Sequence, residues 1–210
     1  MRQHWIFDFD GTLIDSEPAI KECYIKVTKT IVPSRINIAK DIQIGPTLDY
    51  TSTEILGEKF IHLLSEFKDS FVREYDDKII LETLIYPNAD IVLKNLYERG
   101  DKIAIATNKR SAPTKRLIEH YGWSKFFEWI ACKDVFPQYN NKSEMLKELL
   151  TKHKSFSESF LVGDTDNDGI TANNNNLKFI RAAYGYGGND DWRKVEIYKD
   201  ISRIEEVLEL

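Results

Sequence analysis

The feature that most constrains this chain is a repeated pairing: a short apolar run closes on a polar residue, and a helix-like segment follows. The runs occupy residues 5–9, 103–106, 129–132, 160–162 and 179–183. Each is too short for a core helix and reads as a buried strand. Between them, Asn88 is placed to cap a helix through Ile91, Leu93, Leu96 and Tyr97 that stops at Gly100. Ser111 and Pro113 open another through Leu117, Ile118 and Tyr121, and a third carries Met145, Leu146, Leu149 and Leu150 at helical spacing. Strands alternating with helices predict an α/β fold: a three-layer, Rossmann-like parallel sheet with helices on both faces.

One interval breaks the alternation. Between the first run and Tyr86-Pro87 no strong strand pattern occurs. Ser16 and Pro18 suit a helix start, and Ile20, Tyr24, Val27 and Ile31 then share a face. A second stripe runs through Phe60, Leu63, Leu64, Phe67, Phe71 and Tyr75. Such stripes are read as the inward sides of packed helices. The expected organisation is a core domain of residues 1–14 and 86–210 with a small helical domain, 15–85, inserted after the first strand.

Net charge is −5 with both signs interspersed, a poor footprint for nucleic acid, which rewards a basic face. No apolar stretch could span a bilayer, and Met1-Arg2-Gln3-His4-Trp5 does not open a signal peptide. Cys23 and Cys132 lie far apart without metal-ligand spacing, as in a reduced cytoplasmic protein. The chain is expected to be cytoplasmic, with no membrane or nucleic-acid partner, as a monomer or homodimer.

The stretch LVGDTDNDGITANNNN at 161–176 imitates the opening of an EF-hand, with Asp164, Asp166, Asp168 and Gly169. An EF-hand closes on a bidentate Glu at its twelfth position, which here is Asn175. An apolar strand, not a helix, precedes the loop. Calcium binding is therefore the weaker reading, and Asn at 173–176 suits a helix end because it tolerates the left-handed conformation.

Ligands of open parallel sheets bind beyond the carboxyl ends of the strands. Asp8, Asp10 and Thr12 follow the first strand, and Thr107 and Asn108 the second. Lys142 opens the helix before the fourth strand, which ends at Asp164 and Asp168. Carboxylates gathered together resist ionising unless a cation joins them, and hard oxygen ligands suit Mg²⁺ bridging to a phosphate. Thr107, Asn108 and Lys142 are the donors a phosphoryl group needs. Asp8 could take up that group as a nucleophile, with Asp10 as general acid and base.

These motifs resemble the haloacid dehalogenase (HAD) superfamily across nearly the whole chain. Its first motif, D-x-D-x-T, corresponds to Asp8-Phe9-Asp10-Gly11-Thr12. Its second corresponds to Thr107 in IATNK, its third to Lys142, with Lys133 and Lys147 nearby, and its fourth, G-D-x-x-x-D, to Gly163-Asp164 through Asp168. The stretch YPNADIVLKNLYERGDKIAIATNK, the place of the insertion and IGPTLDYT are similar to the phosphoglycolate phosphatase-like branch with a helical cap. The resemblance implies a sheet of order 5-4-1-2-3. It implies Asp8 as nucleophile and Mg²⁺ ligand, and Asp10 as acid/base, binding Mg²⁺ through its carbonyl. Asp164 would be a metal carboxylate with Asp168 in support. Thr107, Asn108 and Lys142 would hold the phosphoryl group and Thr12 would orient the first loop. Asp166 would be exposed and coincidental.

The implied activity is Mg²⁺-dependent hydrolysis of a small phosphorylated metabolite through an aspartyl phosphate. A phosphomutase of the β-phosphoglucomutase type, a pyrophosphatase and a calcium- or phospholigand-binding protein are the rivals. Dehalogenases typically lack an acid at the position of Asp10. Phosphonatase relatives use a cap lysine, for which Lys21, Lys26 and Lys29 read more simply as solvated. Residues 44–47, Ile-Gly-Pro-Thr, are the segment of the helical domain expected to reach a substrate; a rigid turn is their alternative role.

Overall fold

A computed structural model describes residues 2–76 and 80–210, so positions 1 and 77–79 of the two expected domains lie outside the described residues. Along the chain, β1 (His4–Phe7) and β2 (Ile14–Asp15) precede α1 (Glu17–Ile31), α2 (Ile36–Asp41), α3 (Leu48–Phe60) and α4 (Leu64–Glu74). Next come β3 (Leu84–Ile85), α5 (Ala89–Glu98), β4 (Lys102–Thr107), α6 (Ser111–His120) and β5 (Phe127–Cys132). The chain ends with α7 (Lys142–Lys152), β6 (Phe160–Gly163), α8 (Asp166–Asn174), β7 (Lys178–Ala182), β8 (Lys199–Ile201) and a 3₁₀ segment, Ile204–Glu209. These elements form two compact units, Met1–Asp15 with Ile85–Leu210, and Ser16–Leu84.

In the first unit, six strands form one sheet in the order β5-β4-β1-β6-β7-β8, and every pairing is parallel. The expected five-strand order is present, running from β7 through β6, β1 and β4 to β5. β8 adds a sixth strand at the edge. Its sequence, Lys-Asp-Ile, has a single apolar residue and gives no readable pattern. β1 is central, with Phe7 level with Ile105 of β4 and Val162 of β6.

Side chains of a strand point alternately to opposite faces, and here both faces are dry. Ile6, Ala104, Ala106, Ala131 and Leu161 pack with Met145, Leu146 and Leu149 of α7 and Ala172 of α8. The small alanines of β4 leave room for the larger residues of α7. The alternate residues Trp5, Phe7, Ile103, Ile105 and Val162 are also fully buried, and α5 packs against β4. Fully burying one such aliphatic side chain contributes about 1.5–3 kcal/mol.

One helix start differs from expectation, and another, opening at Ser111 as expected, gains an outside cap. Asn88 takes the left-handed conformation (φ 66°) and makes no side-chain cap; its amide donates instead to Glu205. Ser111 is the first residue of α6, and Asp134 caps it from outside by accepting from the Ser111 N–H at 2.9 Å and its hydroxyl at 3.1 Å. The asparagine run behaves as expected: α8 ends at Asn174 and Asn176 is left-handed, with φ 55°.

The second unit is helical. α1 buries Ala19, Cys23, Tyr24, Val27 and Thr28, and α4 buries Phe67 and Phe71. Tyr24 lies 4.3 Å from Phe71, between ring centroids. Lys21 pairs with Glu17 and Lys26 with Glu22, each at 2.7 Å along α1. Thr47 caps α3, its hydroxyl accepting from the Tyr50 N–H at 3.4 Å. Thr47→Ala is therefore expected to lower the unfolding free energy by ~1 kcal/mol, measured by denaturant titration.

Candidate active site

The site is built where β1, β4 and β6 end side by side. The Asp8 N–H still donates to the Val162 carbonyl at 2.8 Å, so the backbone at Asp8 is held by the neighbouring strand. The chain then reverses at Gly11, in the left-handed region at φ 81°, and the Gly11 N–H donates to the Ile14 carbonyl at 2.8 Å. A Cβ at Gly11 would lie 2.1 Å from Asp164 Oδ2. Conformation and space both demand glycine here. Gly11→Ala is expected to cost more than ~1 kcal/mol of stability and to displace Asp164, with thermal melting and crystallography as the measurements.

Lys142, the first residue of α7, is 2% exposed. Its Nζ donates to Asp8 Oδ1 at 2.7 Å and to Asp168 Oδ1 at 2.6 Å. Asn141 sets this helix start, its side chain accepting from the Glu144 N–H at 2.9 Å. Of the lysines that compete for the third motif, Lys147 is exposed and Lys133 turns to the Phe136 carbonyl. Asp168 is held on its other oxygen by the Thr165 N–H and hydroxyl, at 3.1 and 2.6 Å.

Asp164 follows β6 directly and is 1% exposed. Thr12 Oγ1 donates to its Oδ1 at 3.1 Å, and the Tyr186 N–H to its Oδ2 at 2.8 Å. Asp8, Asp164 and Asp168 bring one carboxylate oxygen each to within 4.8 Å of one another. The Asp10 carboxylate is engaged elsewhere: Lys109 Nζ lies 2.9 Å from its Oδ1. Thr107 and Asn108 occupy the turn after β4, where the Thr107 hydroxyl accepts from the Lys109 N–H at 3.2 Å. Register places that turn beside the Asp8 loop.

The charges are unequal. Burial pushes the Asp8 carboxyl up to about 7; Lys142 opposes the rise and Asp168 and Asp10 add to it. Burial, then Asp168 and Asp8, push Asp164 well above the carboxylate range, against the Tyr186 and Thr12 hydrogen bonds. Burial alone would depress Lys142, but Asp168 and Asp8 carry it above its ordinary value. Lys142 thus pairs with two of three clustered acidic groups, and a cation with oxygen ligands would offset the excess. By donor type and spacing, the residues fit Mg²⁺.

Asp166 is less exposed than expected from the sequence. It is half-buried, its N–H donates to Asp190 Oδ2 at 2.9 Å, and burial and Asp190 raise its carboxyl. Sequence reasoning also missed Lys109, Tyr184, Tyr186 and Asp190. Lys109 stands within IATNK, two residues past Thr107, and that position was the available signal. The others follow β7 in a segment with no charged motif.

Residues 5–182 match the family described as haloacid dehalogenase-like hydrolase. The chain belongs to this family. Phosphoglycolate phosphatase of Psychrobacter arcticus is 25% identical to this HAD-like hydrolase, covering 99% of the chain and 96% of that protein. Phosphoglycolate phosphatase of Vibrio parahaemolyticus is 29% identical over 86% of the chain and 83% of its own. The branch anticipated from the motifs is thus the branch of these relatives. In fold, the HAD-like chain is similar to a haloacid dehalogenase-like family hydrolase from Streptococcus pneumoniae, with TM-score 0.81 and 21% identity, covering 99% of this chain and 97% of that one. Among the described residues no helix is long and apolar enough to cross a membrane.

Proposed function

We propose that this hydrolase is a Mg²⁺-dependent phosphatase that releases phosphate from a small phosphorylated metabolite through an aspartyl phosphate on Asp8. The observation that carries the reading is the meeting of Asp8, Lys142, Asp164 and Asp168, with Asp10 held separately by Lys109. The names of the relatives point to an ester of the phosphoglycolate kind.

Asp8, Asp164 and Asp168, with the Asp10 carbonyl, would hold Mg²⁺, which when bound neutralises charge and orients a phosphoryl oxygen. An Asp8 carboxylate oxygen attacks phosphorus while Asp10 gives a proton to the departing oxygen. Asp10 then takes a proton from the water that hydrolyses the aspartyl phosphate. Lys142 donates to phosphoryl oxygens, and Thr107 and Asn108 complete the cradle. Asp168 keeps Lys142 in place once Asp8 is esterified. The helical unit, Ser16–Leu84, is proposed as the cap that selects the substrate.

The test is phosphate release from an aryl phosphate and from a panel of phosphorylated metabolites in Mg²⁺, Ca²⁺ or EDTA. Turnover is expected in Mg²⁺ alone. Equal turnover in EDTA would overturn the reading, and isomerised sugar phosphate without phosphate release would mark a mutase.

Metal binding also has a pH signature. A carboxyl whose folded pKa is raised contributes stability that is complete below its unfolded value of 3.8 and is lost as pH rises through about 7. The metal-free protein is therefore expected to melt at a lower temperature at pH 8 than at pH 5. Mg²⁺ at ~100 times its dissociation constant adds ~2.7 kcal/mol, and the gain should be larger at pH 8. Differential scanning fluorimetry at the two pH values measures both effects.

A further inference from the structure

The loop after β7 reads Tyr184-Gly185-Tyr186-Gly187-Gly188-Asn189-Asp190 and lies outside all four sequence motifs. Three observations tie it to the acidic site. The Tyr184 hydroxyl donates to the Thr12 carbonyl at 2.8 Å, and Thr12 in turn donates its own hydroxyl to Asp164. The Tyr186 N–H holds the other oxygen of Asp164. Between the two tyrosines, a Cβ at Gly185 would lie 2.3 Å from Asp164 Cβ and 2.4 Å from the Gly11 carbonyl oxygen. The loop therefore lies flat against both the first and fourth motifs.

We propose that Tyr184 is a positioning residue for the metal: it fixes the Thr12 loop, and through Thr12 the orientation of the Asp164 carboxylate. The inference rests on the reading that Mg²⁺ binds at Asp164 with Asp8 and Asp168. Thr12 is fully buried, so solvent does not replace a donor lost from its carbonyl. The Tyr184 ring is held edge-on to Tyr86, with centroids 4.9 Å apart, and the Tyr86 N–H donates to the next carbonyl, Leu13, at 3.1 Å. Two consecutive carbonyls of the first loop are thus tied down from one side. A donor on each oxygen of Asp164 stops the carboxylate from rotating, and partners of ligating groups set metal affinity in this way.

Direct Mg²⁺ titration by calorimetry tests the proposal without any turnover. Tyr184→Phe keeps the ring and removes only the hydroxyl; it is expected to weaken Mg²⁺ binding by ~10-fold. Thr12→Val should weaken it by a similar factor, and the double variant by little more than either, because both changes act on the same carboxylate. Wild-type affinity in Tyr184→Phe, or losses that multiply in the double variant, would overturn the inference while leaving the phosphatase reading intact. Absence of Mg²⁺ binding in the wild type would overturn both.

Discussion

Replacing Asp8 with asparagine is expected to abolish turnover and, in metal-free buffer above pH 7, to raise the melting temperature. The first effect follows from removing the proposed nucleophile, and the loss should be at least ~10³-fold in kcat. The second follows from the charge inventory: Lys142 pairs with Asp8 and Asp168, and the Asp164 carboxylate lies close to both acids. Holding Asp8 ionised against a folded pKa of about 7 costs on the order of a few kcal/mol. The neutral amide of the Asp8→Asn variant carries no such penalty, and Lys142 retains Asp168. By the same logic the gain should vanish toward pH 4, where Asp8 is protonated in the folded protein. Paired kinetics and melting curves at pH 8 and pH 4 check it. An Asp8→Asn protein that is inactive but no more stable at pH 8 would show that the acidic cluster is not strained.

Lys142→Met should produce the opposite change in stability. It removes the cation from two buried carboxylates, and breaking a buried pair from one side costs ~3–5 kcal/mol. Phosphate release should fall below detection, since the donor proposed for the phosphoryl oxygens is gone as well. Adding Asp8→Asn to Lys142→Met should restore part of the stability and none of the activity. Chemical denaturation of the two single variants and the double variant supplies the coupling energy. Additive losses would mean that Lys142 acts independently of Asp8.

The parts of this fold that were legible in the sequence are those set by local pattern. Apolar runs of three to five residues followed by Asp or Thr mark strand ends, and for a parallel sheet those ends share one rim. The places of Asp8, Thr107 and Asp164 at strand ends could be read on that basis. β8 could not, since its three residues offer one apolar side chain. Nor could the cap from Asp134 or the Asn88–Glu205 hydrogen bond, which are contacts between elements distant in the chain. Tyr184 and Tyr186 were invisible for a related reason. One ties a backbone carbonyl and the other offers a backbone N–H, and a main-chain group leaves no mark in the residue alphabet. Asp166 misled because alternation within a loop says nothing about what another loop brings beside it.

The order in which the strands are made bears on how the protein matures. β1 is produced well before its neighbours in the sheet, which begin level with His4 at Lys102 and with Trp5 at Phe160. The helical unit lies between β1 and both of those neighbours in the chain, and its contacts are local enough for it to fold first. During synthesis the central strand of the sheet, with Trp5-Ile6-Phe7, therefore waits without its second partner until Phe160 has emerged, an interval of roughly 8–30 seconds at ~5–20 residues per second. Slow elongation or a shortage of chaperone should consequently deplete this protein as aggregate before it weakens any finished molecule.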